Sequence, residues 1–200
     1  VPALGITGGI ATGKSTFVAS LRRYLSAELF DADQCAHDLL AHDDAVQTAV
    51  RTVFGSEIFD REGRPDRAVL RQLVFDDPAK RRELEHILHP AIRDRWMALA
   101  RNAAGSSHWL CVDIPLLYET GAARHFDAVI VVACAPTTQR ARLQHQRHLP
   151  EDLAEKILAA QLDLATKIAQ ADHLIWNDST PSCLDRQAGL LACWLQQRRA

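Results

Sequence analysis

Apolar and polar positions alternate along the chain in two rhythms. Residues 3–7 (ALGIT) are a short apolar run closed by glycines, which predicts a buried strand. From Ser15 the segment STFVASLRRYL sets Phe17, Leu21 and Leu25 on one face at helical spacing. The run AELFDAD predicts a second strand ending near Asp33. A third lies at 109–112, a fourth at 128–134 and a fifth around 173–176. The third and fourth are continuously apolar, as in strands covered on both faces. Helical patterns fill 34–54, 66–102, 138–169 and 182–198. Strands alternating with helices predict an α/β fold of three layers, a five-stranded parallel sheet between helices. Residues 34–102 hold more helix than one crossover requires, which predicts a helical insertion. Residues 138–169 read as a helix–turn–helix excursion carrying basic and amide side chains.

Composition narrows the function classes. A chain of 200 residues, 48% hydrophobic, can bury a substantial core. Its formal net charge of −2 supplies no general field for nucleic acid, so any anion site is local. The cysteines at 35, 111, 134, 183 and 193 have no CxxC spacing, which speaks against a disulfide framework or a zinc knuckle. The histidines form no HExxH, and the tryptophans make no platform interleaved with lysines. No apolar run reaches the ~20 residues that span a bilayer. The opening VPALGIT has no signal-peptide character. Neither a nucleic-acid nor a membrane partner is expected, and a cytoplasmic location follows.

One stretch carries specific chemistry. Gly8-Gly9-Ile10-Ala11-Thr12-Gly13-Lys14-Ser15 fits GxxxxGK[ST], with a predicted strand before it and a helix after. Glycines let backbone N–H groups converge on phosphate oxygens, and the helix N-terminus adds partial positive charge. Lys14 is expected on the β and γ phosphates, and Ser15 on Mg²⁺. Thr16 reads as a helix residue close to the phosphates. The loop predicts a nucleoside triphosphate site without choosing between transfer, hydrolysis and switching.

Further residues suggest an acceptor. Asp31 and Asp33 end the second predicted strand, at the sheet edge where open α/β proteins bind ligands. On an extended chain both carboxylates point the same way, one for an acceptor hydroxyl and one for water on Mg²⁺. Alternatively Asp33 caps the following helix. Asp113 ends the third strand and is a second candidate for holding metal-bound water; the spacing does not choose between Asp31 and Asp113. After Pro115, the residues Leu116, Leu117 and Tyr118 can wall a pocket with Glu119 at its rim, or form a plain strand exit. Arg140, Arg142 and Arg147 lie in the densest cationic segment, either a solvated helix face or a lid over migrating phosphate.

Taken together, these residues resemble the dephospho-coenzyme A kinase family. The segments GITGGIATGKST, FDADQCAHDLL, FGSEIFDREGRPDRAVLRQLVF, LEHILHPAIR, DIPLLYETG, DAVIVVACAPTTQRARL, ILAAQ and ADHLIWN carry the likeness over nearly the whole chain. The resemblance implies the P-loop nucleoside triphosphate hydrolase fold and transfer of the ATP γ-phosphoryl group to the ribose 3′-hydroxyl of dephospho-CoA. It implies Asp33 as general base, Lys14 and Ser15 on phosphate and Mg²⁺, and Arg140 and Arg142 as lid arginines. It implies acceptor contacts from Arg67, Leu70, His89, Pro90, Leu116, Leu117, Glu119 and Arg147, and an adenine-side Asn177. His89 is also readable as a structural residue shaping a helix start. The implied division is a core of residues 1–33, 103–137 and 170–200, a CoA-binding domain at 34–102 and a lid at 138–169. ATP and dephospho-CoA are the expected partners, with a monomer or weak homo-oligomer. Arg142 and Arg147 are five apart where the family commonly has four, and Asp178-Ser179 follow Asn177 where it has a small residue and glycine.

Two other readings use the same loop: a nucleoside monophosphate kinase, and a nucleotide-dependent switch or scaffold. The long insertion speaks against the first. For the second, a GTPase would carry an Asn-Lys-x-Asp guanine reader, which does not occur here.

Overall fold

The computed structural model describes residues 2–60, 62–102, 108–147, 150–159 and 161–198. The chain divides into two compact units, residues 1–30 with 103–200, and residues 31–102.

The first unit is built on a five-stranded sheet. Its strands are β1 (Ala3–Gly8), β2 (Ala27–Asp31), β3 (Trp109–Asp113), β4 (Ala128–Ala133) and β5 (His173–Trp176), in the order β2-β3-β1-β4-β5. The β1–β3, β1–β4 and β4–β5 pairs are parallel, with Ile6 opposite Asp113, Gly8 opposite Val132 and Ala133 opposite Trp176. β1 is central and buried along its whole length, as its unbroken apolar run predicts.

Side chains alternate across the sheet. Leu4, Ile6, Ile130 and Val132 pack beneath α1 (Lys14–Tyr24) and α9 (Pro181–Gln197), with Phe17, Leu21, Leu184, Leu191 and Leu195. Val129, Val131 and Ala133 face the other way, onto Leu117, Leu164 and Ile168. The last two belong to α8 (Leu164–Ala169), so helices cover both faces of the sheet in an α/β/α arrangement. On α9, Leu191 and Leu195 are core, whereas Leu190 is exposed. Cys111 and Cys134 are buried, and burial pushes the Cys111 thiol up to about 12.

Residues 138–169 hold more than one excursion. α6 (Pro136–Arg147) buries Gln139 and Leu143, α7 (Glu151–Ala159) follows, and α8 buries Lys167 completely.

The second unit is helical. Its elements are α2 (Ala32–His42), α3 (Asp44–Phe54), α4 (Arg67–Asp76) and α5 (Pro78–Asn102). Leu39, Leu40, Val46, Val50, Phe54, Leu70 and Leu88 form its core. Aspartates set the helix starts. Asp31 caps α2 by accepting the Gln34 N–H, Asp43 caps α3 at Val46, and Asp66 caps α4 at Ala68 and Val69. The helix expected over 66–102 is two helices, because Asp77 caps α4 in extended conformation ahead of Pro78. Asp43 also binds Arg95 of α5 at 3.0 Å.

Candidate active site

The phosphate loop runs from the end of β1 to the head of α1. Gly13 is the residue before the helix and sits at φ 91°, in the left-handed region that only glycine occupies cheaply. A Cβ there would also strike the Asn177 amide. Each carbonyl from Gly9 to Thr12 accepts a side-chain donor. The Thr12 hydroxyl donates to Gly9 O at 2.8 Å. Gln139 Nε2 donates to Ile10 O at 2.7 Å. Arg142 donates to Ala11 O at 3.3 Å and to Thr12 O at 3.2 Å. Asn177 Nδ2 donates to Thr12 O at 2.8 Å. Four successive carbonyls are thus occupied, and of the loop's N–H groups Ile10 donates to Gln161 Oε1 and Thr12 to Gly9 O; an anion is met by the backbone donors that remain. The start of α1 has no side-chain cap, so its first N–H groups add to that donor set.

Lys14 opens α1 and is ion-paired with Asp113 at the end of β3. Parallel pairing of β1 with β3 makes this contact, since Ile6 and Asp113 are in register. Ser15 and Thr16 stand exposed on the first turn. The donor chemistry suits a hard cation shared with phosphates: an exposed hydroxyl on Ser15 and a carboxylate on Asp113 are oxygen ligands. Among the described residues no group of three or more His, Cys, Asp or Glu gathers as a stand-alone metal cage. An ion bound mainly through substrate phosphates does not need one.

The turn after β3 is tied down by a fully buried lysine. Pro115 O accepts from the Thr7 hydroxyl at 3.0 Å and from Lys167 Nζ at 3.0 Å. Glu119 Oε1 lies 2.8 Å from Lys167 Nζ and accepts the Leu162 N–H at 3.0 Å. The pocket wall expected from Leu116, Leu117 and Tyr118 is therefore only partly available. Leu117 is fully buried in the core under β4, while Leu116 is half-buried. Burial pushes the Tyr118 hydroxyl up to about 12, and it has no hydrogen-bond partner among the described residues.

The expected arginines separate into different roles. Arg142 turns inward, and its second nitrogen donates to Asn177 O at 2.8 Å, so it braces the loop against β5. Arg140 pairs with Glu155 of α7 at 2.6 Å, both half exposed. The Arg147 side chain lies outside the described residues. Asp178, beside Asn177, accepts the Ala135 N–H at 2.9 Å and fixes the end of β4. Burial acts to raise its carboxyl, but the Ala135 N–H and further hydrogen bonds outweigh this and hold it below the usual range.

In the helical unit the acidic pair differs from expectation. β2 ends at Asp31, and Asp33 lies in the first turn of α2, exposed. The two carboxylates are thus not neighbours on one strand face. Asp31 is the cap and Asp33 is not, because the chain leaves the extended conformation between them. Arg67 begins α4 and borders an open cavity of about 410 Å³ lined also by His37, Asp60, Arg64 and Asp66. Leu70, expected at the acceptor, is 3% exposed inside the helical core. His89 and Pro90 do not mark a helix start; both lie within α5. Burial holds the His89 imidazole below its ordinary range.

Sequence reasoning assigned no role to Gln139, Gln161 or Lys167. Gln161 Oε1 accepts the Ile10 N–H at 3.1 Å, so two glutamines hold both backbone polar groups of Ile10. Gln161 and Lys167 form the aQxxxxxK series of the family resemblance and Gln139 lies in its segment DAVIVVACAPTTQRARL, but no local spacing gives any of them a partner.

A parallel sheet of this order, with a glycine-rich strand-to-helix loop running into Lys-Ser-Thr, defines a P-loop nucleotide-binding protein. The family model described as dephospho-CoA kinase matches residues 3–182. A dephospho-CoA kinase of Aromatoleum aromaticum is 38% identical over 199 residues, covering 98% of this chain and 96% of that protein. One from Methylococcus capsulatus is 37% identical over 188 residues, covering 94% of this chain and 93% of that protein. A Thermus thermophilus crystal structure superposes with a TM-score of 0.80 at 26% identity, covering 97% of each chain. The fold is also that of a dephospho-CoA kinase from Campylobacter jejuni, with a TM-score of 0.75 at 24% identity, covering 99% of this chain and 98% of that one. The chain belongs to the dephospho-CoA kinase family, and its activity is ATP-dependent phosphoryl transfer.

Proposed function

We propose that the protein transfers the γ-phosphoryl group of ATP to the ribose 3′-hydroxyl of dephospho-CoA, giving CoA and ADP. The observation that carries this reading is family membership over residues 3–182, joined to a phosphate loop whose Gly9–Thr12 carbonyls accept side-chain donors.

In this reading Lys14 exchanges Asp113 for the β and γ phosphates of ATP. Ser15 and Asp113, with Asp31 as a further carboxylate, would hold Mg²⁺, which when bound offsets phosphate charge. Asp33 orients the acceptor hydroxyl and takes its proton. Arg140 leaves Glu155 to offset charge on the moving group, and Arg142 keeps the loop rigid beneath it. Asn177 supports the adenine side. Arg67, His89, Pro90, Leu116, Glu119 and Arg147 serve dephospho-CoA, with Leu70 and Leu117 supporting them from the cores. In this reading the enzyme is cytoplasmic and acts as a monomer or weak homo-oligomer. Among the described residues no helix is long and apolar enough to cross a membrane.

The test is ADP release from Mg-ATP with and without dephospho-CoA, beside a panel of nucleoside monophosphates. Stimulation by dephospho-CoA, with a product heavier by one phosphoryl group, is the expected result. Stimulation by a nucleoside monophosphate alone, or by no acceptor, would overturn the assignment.

A further inference from the structure

The segment Gln161–Lys167 touches two parts of the first unit at once. At one end Gln161 accepts the N–H of Ile10, in the middle of the phosphate loop. At the other end Lys167 binds Pro115 O and Glu119, the two limits of the turn that follows β3. Between them the Leu162 N–H donates to the same Glu119 oxygen. Pro115 O in turn accepts from Thr7, which immediately precedes Gly8. A closed circuit results: loop, Gln161, Lys167, turn, Thr7, loop.

Lys167 is the costly member. It is 0% exposed, the most buried charge among the described residues. An ammonium so buried must recover its lost hydration from its partners, and an apolar side chain of similar volume often serves stability as well or better. Stability alone thus accounts poorly for a lysine here. What a lysine does and a methionine cannot is bind a carbonyl and a carboxylate together, fixing the spacing between Pro115 and Glu119.

We propose that Gln161 and Lys167 are positioning residues that join the phosphate loop to the 114–119 turn, so that the Ile10 peptide and this turn are held in one geometry for transfer. That the turn serves the acceptor rests on the function proposed above; the mechanical link does not.

The test is a double-mutant cycle. Gln161→Ala removes one end. Lys167→Met with Glu119→Gln removes the other as a pair, leaving no orphaned buried charge. A third protein combines all three changes. Each is read by the Ile10 amide resonance of the nucleotide-free protein, by melting temperature, and by kcat and KM for both substrates. The expected result is a shifted Ile10 amide in the paired variant, although neither substitution touches Ile10. kcat falls about tenfold in each with KM for ATP nearly unchanged, and the combination falls no further than either alone. An Ile10 amide unmoved in a folded paired variant, or losses in kcat that multiply, would overturn the link. If the paired variant does not fold, Thr7→Val, which removes only the hydroxyl bound to Pro115 O, is read by the same criteria. A wild-type protein without dephospho-CoA-dependent turnover would instead fail the proposed function, and the Ile10 amide would then decide the link by itself.

Discussion

Lys14 and Asp113 are ion-paired across two parallel strands, one at the head of the phosphate loop's helix, the other at the end of β3. The side chains are 15% and 11% exposed, so removing either charge takes from the other its partner in a largely buried ion pair. Lys14→Met should lower kcat by about 10²–10³-fold and also lower the melting temperature. Lys14→Met with Asp113→Asn should recover the melting temperature but not kcat. Thermal scans beside steady-state kinetics check both; recovery of turnover in the double variant would remove Lys14 from the phosphate role.

Asp33→Asn should leave nucleotide affinity unchanged and slow turnover by at least ~10²-fold. Binding of a fluorescent ATP analogue and ADP release measure the two separately. Turnover near the wild-type rate would take Asp33 out of proton transfer.

Arg142 spends its guanidinium on Ala11, Thr12 and Asn177 carbonyls. Lysine has the charge without the planar fork and cannot reach all three. Arg142→Lys should raise KM for ATP about tenfold and lower the melting temperature, while KM for dephospho-CoA stays within about twofold. An unchanged KM for ATP would show that Asn177, Gln139 and Gln161 hold the loop without Arg142.

Tyr118 buries a hydroxyl with no described partner. Tyr118→Phe removes that unsatisfied group and should be neutral or stabilising by up to ~1 kcal/mol in chemical denaturation. A loss of stability would reveal a partner for the hydroxyl.

Burial lowers His89 and His173 below the ordinary 6.5. In the window below 6.5 the unfolded chain binds more protons than the folded one, so stability is full above 6.5 and falls on acidification through that window. Glu85 opposes the shift at His89, and Asp172 opposes it at His173. Asp43, lowered chiefly by the Val46 N–H, adds a second loss as pH falls from 3.8. Melting temperature between pH 5 and 7.5 should rise with pH, less steeply in His89→Asn. Identical slopes would mean that His89 does not report the folded state.

Much of this was legible along the chain because it is local. The Gly-rich run and Lys14-Ser15 carry their meaning in eight adjacent residues, and β1, β3 and β4 announce themselves by unbroken apolar runs. The break before Pro78 is equally local, but apolar periodicity continues on both sides of it and masks it. Assigning Asp33 to a strand failed for a near-local reason: FDAD fits an extended strand as well as a strand that stops at a capping aspartate.

Sequence by itself determined the nucleotide loop, the α/β alternation and the helical insertion, since backbone conformation and side-chain periodicity are set by near neighbours. Tertiary structure alone decided that Lys14 meets Asp113, that Gln139 and Gln161 grip Ile10, that Lys167 is buried on Glu119, and that Leu70 and Leu117 are core. Lys14 and Asp113 lie 99 positions apart, and Gln161 lies 151 from Ile10. No local spacing specifies such pairs; they follow from strand order and register, which arise only when the sheet assembles and buries its two faces.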